Sequence, residues 1–370
     1  IVVHAVLVLG GHMKGLILSG GHGVRLRPLT YSQQKQLIPI ANKPILFYCI
    51  QDLIDAGIHS IGIVVGPNKE QVISEVTAQD WDAEFEFITQ DRPGGLAHAV
   101  KISREFLGSD RFVMYLGDNI LLGGIKSFVD DFRRSEAKAS LLLTKVDHPE
   151  QYGVALVDEQ KKVILQLLEK PKNPPSNLCI VGIYCLTPEI FEAIESIKPS
   201  WRGELEITDA LHWLILQGRP VTYDLVSGWW KDTGKPEDLI DANRLVLDAL
   251  PGMNGNGVCL ENVENSTVSG RCRIGKNTVI KDGSVIRGPV IIGDDCVISN
   301  TYLGPYTSIG NGSFLSNTEI EDSIIMEGSA ISNTERIVES LIGKNVTIAR
   351  DGRLPAGKKF VIGDNSNVTI

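Results

Sequence analysis

From Lys14 to about Ala249 the chain alternates short unbroken apolar runs with longer amphipathic ones. The runs KGLILSG, IGIVVG, FEFITQ, RFVMYLGDN and ASLLLTKV are continuous enough to be strands buried on both faces. Between them, segments such as Ile45–Ala56 and Leu96–Phe106 space their apolar residues as helices do. Strands alternating with helices predict an α/β domain with a Rossmann-like, parallel-rich sheet covered by helices on both faces. Ligands of such a sheet sit beyond the carboxyl ends of its strands, where a glycine-rich loop follows the first run.

After DALPGMNGNG the period changes. Ile274, Ile280, Ile286, Ile292 and Ile298 recur at six-residue steps, and Val279, Val285, Ile291, Val297 and Leu303 follow the same step one residue earlier in each block. Short β segments divided by turns such as IGKNTV and IGDDCV predict a parallel β-helix, in which each coil buries its aliphatic corner only against its neighbours. The register slips near Gly304 and again after Leu315, where irregular coils are expected. The expected layout is a leader at 1–12, an α/β domain at 13–250 and a β-helix domain at 251–370.

A chain of 370 residues with 43% apolar content is long enough for two cores and too hydrophobic for disorder. A formal charge of −9 argues against non-specific nucleic-acid or anionic-membrane partners. Any anionic substrate must be met by local cations or a metal. The six cysteines form no C-x-x-C pair, which suits reduced thiols in a cytoplasmic protein. The opening IVVHAVLVLGGHMKG lacks a basic start, and its apolar run stops at Leu9, so residues 1–12 read as a cloning-derived leader rather than a signal peptide. No later run approaches the roughly 20 apolar residues of a membrane span.

The loop LILSGGHGVRLRPLTYSQQKQLIPIANKP, Leu16 to Pro44, is either a plain strand-to-helix turn or a phosphate cradle. A Walker loop needs Gly-Lys-Ser/Thr, which does not occur, and a dinucleotide fingerprint from Gly21 needs glycine where Leu26 stands. What remains is G-G-x-G-x-R-L-x-P-L-T followed by K-Q-L-I-P-I. Its Gly20–Gly23 backbone amides can wrap a triphosphate while Arg25 and Lys35 approach the same charge.

This pattern resembles the sugar-nucleotidyltransferase signature, and further blocks follow in order: YLGDN with Asp118, QYGV with Tyr152 and Gly153, EKP with Glu169 and Lys170, RGELEITD from Arg202, and WWKDTG with Asp232. Together they are similar to the long glucose-1-phosphate thymidylyltransferases, whose C-terminal part is a left-handed β-helix, over about residues 13–370. One departure is Leu168, where the family commonly has a second glutamate before EKP. The resemblance implies attack of a sugar 1-phosphate on the α-phosphorus of dTTP, with Mg²⁺ as cofactor held by Asp118 and Asp232. It implies Arg25 and Lys35 on the triphosphate and Lys170 on the sugar phosphate. It places the nucleotide at Leu16, Gly20, Gly21, Gly23, Gln36, Gln90, Pro93 and Gly95. Asn119, Tyr152, Gly153, Glu169, Ile180 and Glu204 fall to the sugar phosphate. A glutamine amide, which donates and accepts at once, suits a pyrimidine imide. His22 and His98 read as local packing or hydrogen-bonding residues.

Alternatives within the class are UTP or N-acetylglucosamine 1-phosphate as substrate. From other classes come a bifunctional acyltransferase and a catalytically dead binding module. All seven histidines precede the repeat region, which leaves no imidazole base there for acyl transfer. The β-helix is therefore expected to be structural and to join copies of the chain.

Overall fold

A computed structural model describes residues 13–21, 23–67, 69–250 and 263–350. The leader expected at 1–12, His22, Cys259 and the start of the second expected domain at 251–262 lie outside the described residues. The chain divides into two compact units, Ile1–Val246 and Leu247–Ile370.

Among the described residues of the first unit, nine strands form one mixed sheet. From edge to edge it runs Glu84–Thr89, Ser60–Val65, Met13–Ser19, Arg111–Leu116, Leu178–Leu186, Ala139–Lys145, Val221–Leu225, Val163–Glu169 and Gly153–Asp158. The first four are mutually parallel, as the runs predicted, but Glu84–Thr89 corrects the expectation of a buried strand at FEFITQ: it is the sheet edge, and none of its residues is buried. Leu178–Leu186 then enters antiparallel between Arg111–Leu116 and Ala139–Lys145. Side chains alternate across the sheet, so Ile17 faces the layer built on helix Ile45–Asp55, while Leu16 and Leu18 face the layer of helices Leu96–Ile102 and Ile207–Leu216. The predicted helix Leu96–Phe106 is two pieces, Leu96–Ile102 and Arg104–Leu107, divided at Ser103, whose hydroxyl donates to the Ala99 carbonyl at 2.8 Å. The five described cysteines are free and buried.

The second unit is a left-handed parallel β-helix whose three sheets have five short strands each among the described residues. The inward row runs Ile274, Ile280, Ile286, Ile292, Ile298, then Leu303, Ile309, Leu315, Ile320, Ile325 and Ile331, and all are buried. Leu303 corrects the expected phase: it pairs with Ile286 and faces inward, because the corner before it is one residue short. Polar pairs at two corners record the shortening. Asn277 donates to Asp295 18 residues on, Asn300 to Asn317 17 on, and Asn317 to Asn333 16 on. At the corner of Asn277 and Asp295 the repeated Ile-Gly step has a steric cause: a Cβ on Gly310 would lie 2.3 Å from the Glu327 backbone nitrogen of the next coil.

Candidate active site

Beyond the carboxyl end of Arg111–Leu116, residues Asn119–Leu121 pair antiparallel with Trp230–Asp232, setting Asn119 opposite Asp232. Thr233 locks this ribbon, its backbone N–H and its hydroxyl donating to the Asp118 carbonyl at 3.1 and 2.7 Å. Two carboxylates remote in sequence thus share one end of the sheet. Between them lies the Lys35 ammonium, 2.5 Å from Asp118 Oδ2 and 3.9 Å from Asp232 Oδ1, on a residue only 6% exposed. One ammonium is thus shared between two carboxylates. Burial, reinforced by Asp118 and opposed by Lys35 and Arg25, accordingly raises the Asp232 carboxyl to about 6. Two hard oxygen donors side by side fit Mg²⁺, which is commonly held by one or two carboxylates together with substrate phosphates. Among the described residues no group of three or more His, Cys, Asp or Glu could hold a metal, so other ligands of such an ion would come from phosphate and water.

The glycine loop closes onto this centre. Gly23 adopts φ 59, and a Cβ there would meet Thr30 at 2.9 Å and the Lys35 stem at 3.0 Å. The Thr30 hydroxyl donates to the Gly23 carbonyl at 2.7 Å. On the single turn that follows, Val24–Leu26, Arg25 lies across Gly234, where a Cβ would be 2.9 Å from Nη2. Gly20 and Gly21 run between two glutamines, since a Cβ on Gly20 would be 3.2 Å from Gln90 Oε1 and one on Gly21 would be 3.7 Å from Gln36 Nε2. Gln36 is buried with Oε1 unpartnered, while Gln90 Nε2 is 2.9 Å from His98 Nδ1. Gly95, at φ 92, leads into helix Leu96–Ile102, and a Cβ there would stand 2.4 Å from the Leu205 carbonyl oxygen. Pro93 is exposed beside it. Leu16 is corrected: mid-strand and 0% exposed, it packs in the apolar layer and presents nothing to a ligand.

A cavity of about 480 Å³ adjoins the two carboxylates, lined among others by Arg25, Asp118, Asp232 and Lys170. Gly153 opens its wall, because a Cβ would lie 3.1 Å from Ile180 Cδ1, 3.2 Å from Thr208 Oγ1 and 3.4 Å from Glu169 Oε2. Thr208 donates to Glu169 Oε2 at 2.7 Å, and Arg202 Nη1 stands 3.6 Å from Oε1, so this carboxylate is held at both oxygens. Tyr152 meets Trp230 edge to face, with centroids 5.7 Å apart. Trp230 Nε1 donates to Asn119 Oδ1 at 2.6 Å, and Asn119 Nδ2 donates to Asp118 Oδ1 at 2.8 Å, tying the cavity wall to the carboxylate pair. Lys170 has φ 43, and its N–H donates to the Tyr152 carbonyl at 3.0 Å. Glu204 is not brought to the cavity. Its carboxylate is 3.0 Å from Arg202, and Glu206, two residues on, lines the wall instead. The sequence reading also missed Tyr184, Thr208, Trp230 and Lys235, which line the same space.

Residues 14–249 match the family model described as nucleotidyl transferase. The chain belongs to that family. Residues 271–300 match the model described as bacterial transferase hexapeptide (six repeats). A low-salt glycan biosynthesis nucleotidyltransferase, Agl11, of Haloferax volcanii is 46% identical, over 97% of this chain and 100% of the relative. A glucose-1-phosphate thymidylyltransferase of Streptomyces griseus is 42% identical over 97% of this chain and 99% of its own. Among solved structures, a Bacillus anthracis protein bound to sucrose, described as a candidate glucose-1-phosphate thymidylyltransferase, superposes with TM-score 0.60 at 38% identity, covering 66% of this chain and 100% of that one. These relatives make the chain a sugar-1-phosphate nucleotidyltransferase with the two-part layout of the long form.

Proposed function

We propose that the enzyme joins dTTP and glucose 1-phosphate, giving dTDP-glucose and pyrophosphate. The observation that carries this reading is the Lys35 ammonium buried between Asp118 and Asp232, beside Arg25 and a cavity lined by Lys170. That is an arrangement for bringing two polyanions together. A sugar-phosphate oxygen attacks the α-phosphorus, the new P–O bond forms as the bond to the β-phosphate oxygen breaks, and pyrophosphate leaves. The nucleophile is already ionised, so the protein contributes position and charge rather than a base. Mg²⁺ held by Asp118 and Asp232 would supply further neutralisation of phosphate charge. Arg25 and Lys35 orient the triphosphate, Lys170 holds the sugar phosphate, and Glu169, pinned by Thr208 and Arg202, faces the sugar hydroxyls.

At the base, Gln36 and Gln90 flank the glycine loop, and the matched length of the Streptomyces relative supports a thymine nucleotide. A pocket separates thymine from uracil by one methyl, worth only about 1–3 kcal/mol, so UTP is the nearest competitor. In this reading residues 13–250 carry the chemistry in the cytoplasm, while the β-helix at 251–370 joins copies of the chain and transfers no acyl group. The test is pyrophosphate release across a panel of nucleoside triphosphates and sugar 1-phosphates, with Mg²⁺ and with chelator. The fastest turnover is expected for dTTP with glucose 1-phosphate; a purine triphosphate reacting best would refute the base assignment.

A further inference from the structure

The two glutamines beside the glycine loop differ in their commitments. Gln36 leaves its Oε1 without a partner, but Gln90 has one end of its amide engaged, with Nε2 2.9 Å from His98 Nδ1. The opposite end, Oε1, points to the loop, 3.2 Å from where a Gly20 Cβ would stand. The backbone of Gln90 is itself fixed, its N–H donating to the Val65 carbonyl at 2.8 Å. The histidine ring is also confined: a Cβ on Gly94 would lie 2.6 Å from His98 Cγ and 2.8 Å from Nδ1, so the ring rests directly against that glycine. Burial, with Arg92 and Lys101 nearby, lowers the His98 pKa and favours the neutral ring. A neutral imidazole keeps one bare nitrogen, and the amide N–H of Gln90 is the donor it faces.

We propose that His98 is the positioning residue that sets which pyrimidines the enzyme accepts: by taking a hydrogen bond from Gln90 Nε2 it commits Oε1 to face the base as an acceptor only. Such an atom pairs with the ring N–H of an imide, as in thymine or uracil. It opposes the bare N3 of cytosine, whose lone pair would meet another lone pair. The orientation of one amide therefore becomes a chemical filter, and the side chain that fixes it does not touch the nucleotide. The inference rests on the reading that Gln90 faces the base.

The cleanest pair of probes is dTTP and 5-methyl-dCTP, which share sugar, triphosphate and methyl and differ in the donor and acceptor pattern at N3 and the 4-position. Their kcat/KM ratio cancels any effect of a changed charge on triphosphate affinity. Wild type is expected to prefer dTTP by roughly 10–100-fold, the scale of one buried mismatched hydrogen bond. His98→Glu, which can only accept from Gln90, should keep that ratio within about threefold, as a conservative rescue. His98→Lys can only donate, so it should turn the amide round, lower the ratio by about tenfold or more and raise the absolute rate with 5-methyl-dCTP. A folding defect would lower both rates and produce no such gain. An unchanged ratio in His98→Lys, in protein with a wild-type melting temperature, overturns the inference. Gln90→Ala separates the two levels. If it abolishes the preference while His98→Lys does not, only the role of His98 falls; if it too leaves the ratio intact, the base assignment falls along with it.

Discussion

Asp232→Asn should make the metal-free protein more stable and the enzyme inactive. In the folded chain the Asp232 carboxyl is raised from 3.8 to about 6, chiefly by burial and then by Asp118. A folded pKa above the unfolded one means that the native state binds the proton more tightly. The stability this proton confers is therefore complete below about pH 4 and is lost as the pH rises through 6. At pH 7.5 the ionised group weighs against folding by at most about 3 kcal/mol, at about 1.4 kcal/mol per unit. Its side chain is 30% exposed, so solvent screening brings the expected figure nearer ~1–2 kcal/mol. Lys35 keeps its 2.5 Å contact with Asp118 in the variant, so no buried cation is stranded. For a unit of this size the gain corresponds to roughly 2–8 °C in Tm. The assay is a thermal melt at pH 7.5, first in chelator and then in millimolar Mg²⁺, alongside turnover. The variant should melt higher than wild type in chelator, gain less from Mg²⁺ and lose most of its activity. If it melts at or below wild type in chelator, the account of two crowded carboxylates awaiting a cation is wrong.

Three further expectations bear on other parts of the molecule. Lys35→Ala or Arg25→Ala should lower turnover by about 10²–10³, the usual scale for one preorganised charge, and a loss under about threefold would misplace the triphosphate. Gly310→Ala should loosen the β-helix, since its Cβ would press on the Glu327 backbone at 2.3 Å; the β-helix transition in calorimetry should fall while kcat holds, and an unmoved transition would count against the coil packing described. A chain ended near Gly252 should keep pyrophosphate release but lose self-association, and full-length and shortened proteins of equal monomeric mass in light scattering would remove the assembly role from the β-helix.

Much of this was legible in the residues because the relevant signals are local. Three of the four parallel strands carry an unbroken apolar run, and a run buried on both faces has no other easy reading; the fourth, Glu84–Thr89, alternates glutamate with phenylalanine and forms the sheet's edge. Leu178–Leu186 is as apolar but escaped notice, because Gly182 at φ 79 and a register shift between Ile180 and Tyr184 interrupt its regularity. The β-helix was recognisable by its step of six, yet counting at a fixed step misphased Leu303, since a corner can drop one residue while the inward row continues. In the site, the nucleotide residues were assigned through the resemblance to a family, and for Leu16 that misled: it is near the loop in sequence and sealed in the core in space. Glu204 and Glu206 illustrate the converse. Both belong to one short motif, and only the folded loop shows which reaches the cavity. Trp230 and Thr208 act through partners far along the chain, Asn119 and Glu169, so no short window contained their roles.

The ribbon that brings Asp118 to Asp232 also bears on the order in which the first unit is assembled. Thr233 reaches back 115 residues to the Asp118 carbonyl, and a ribbon of three residues a side cannot by itself offset the entropy of closing so long a loop. The pairing is expected to follow the sheet between its two strands, which would make the centre a late event in folding. A nascent chain released only as far as Ser200 already displays the glycine loop, Lys35, Asp118 and Lys170, but the second carboxylate does not yet exist. On the proposed function, the growing polypeptide should therefore be inert toward sugar phosphates until nearly the whole first unit has left the ribosome.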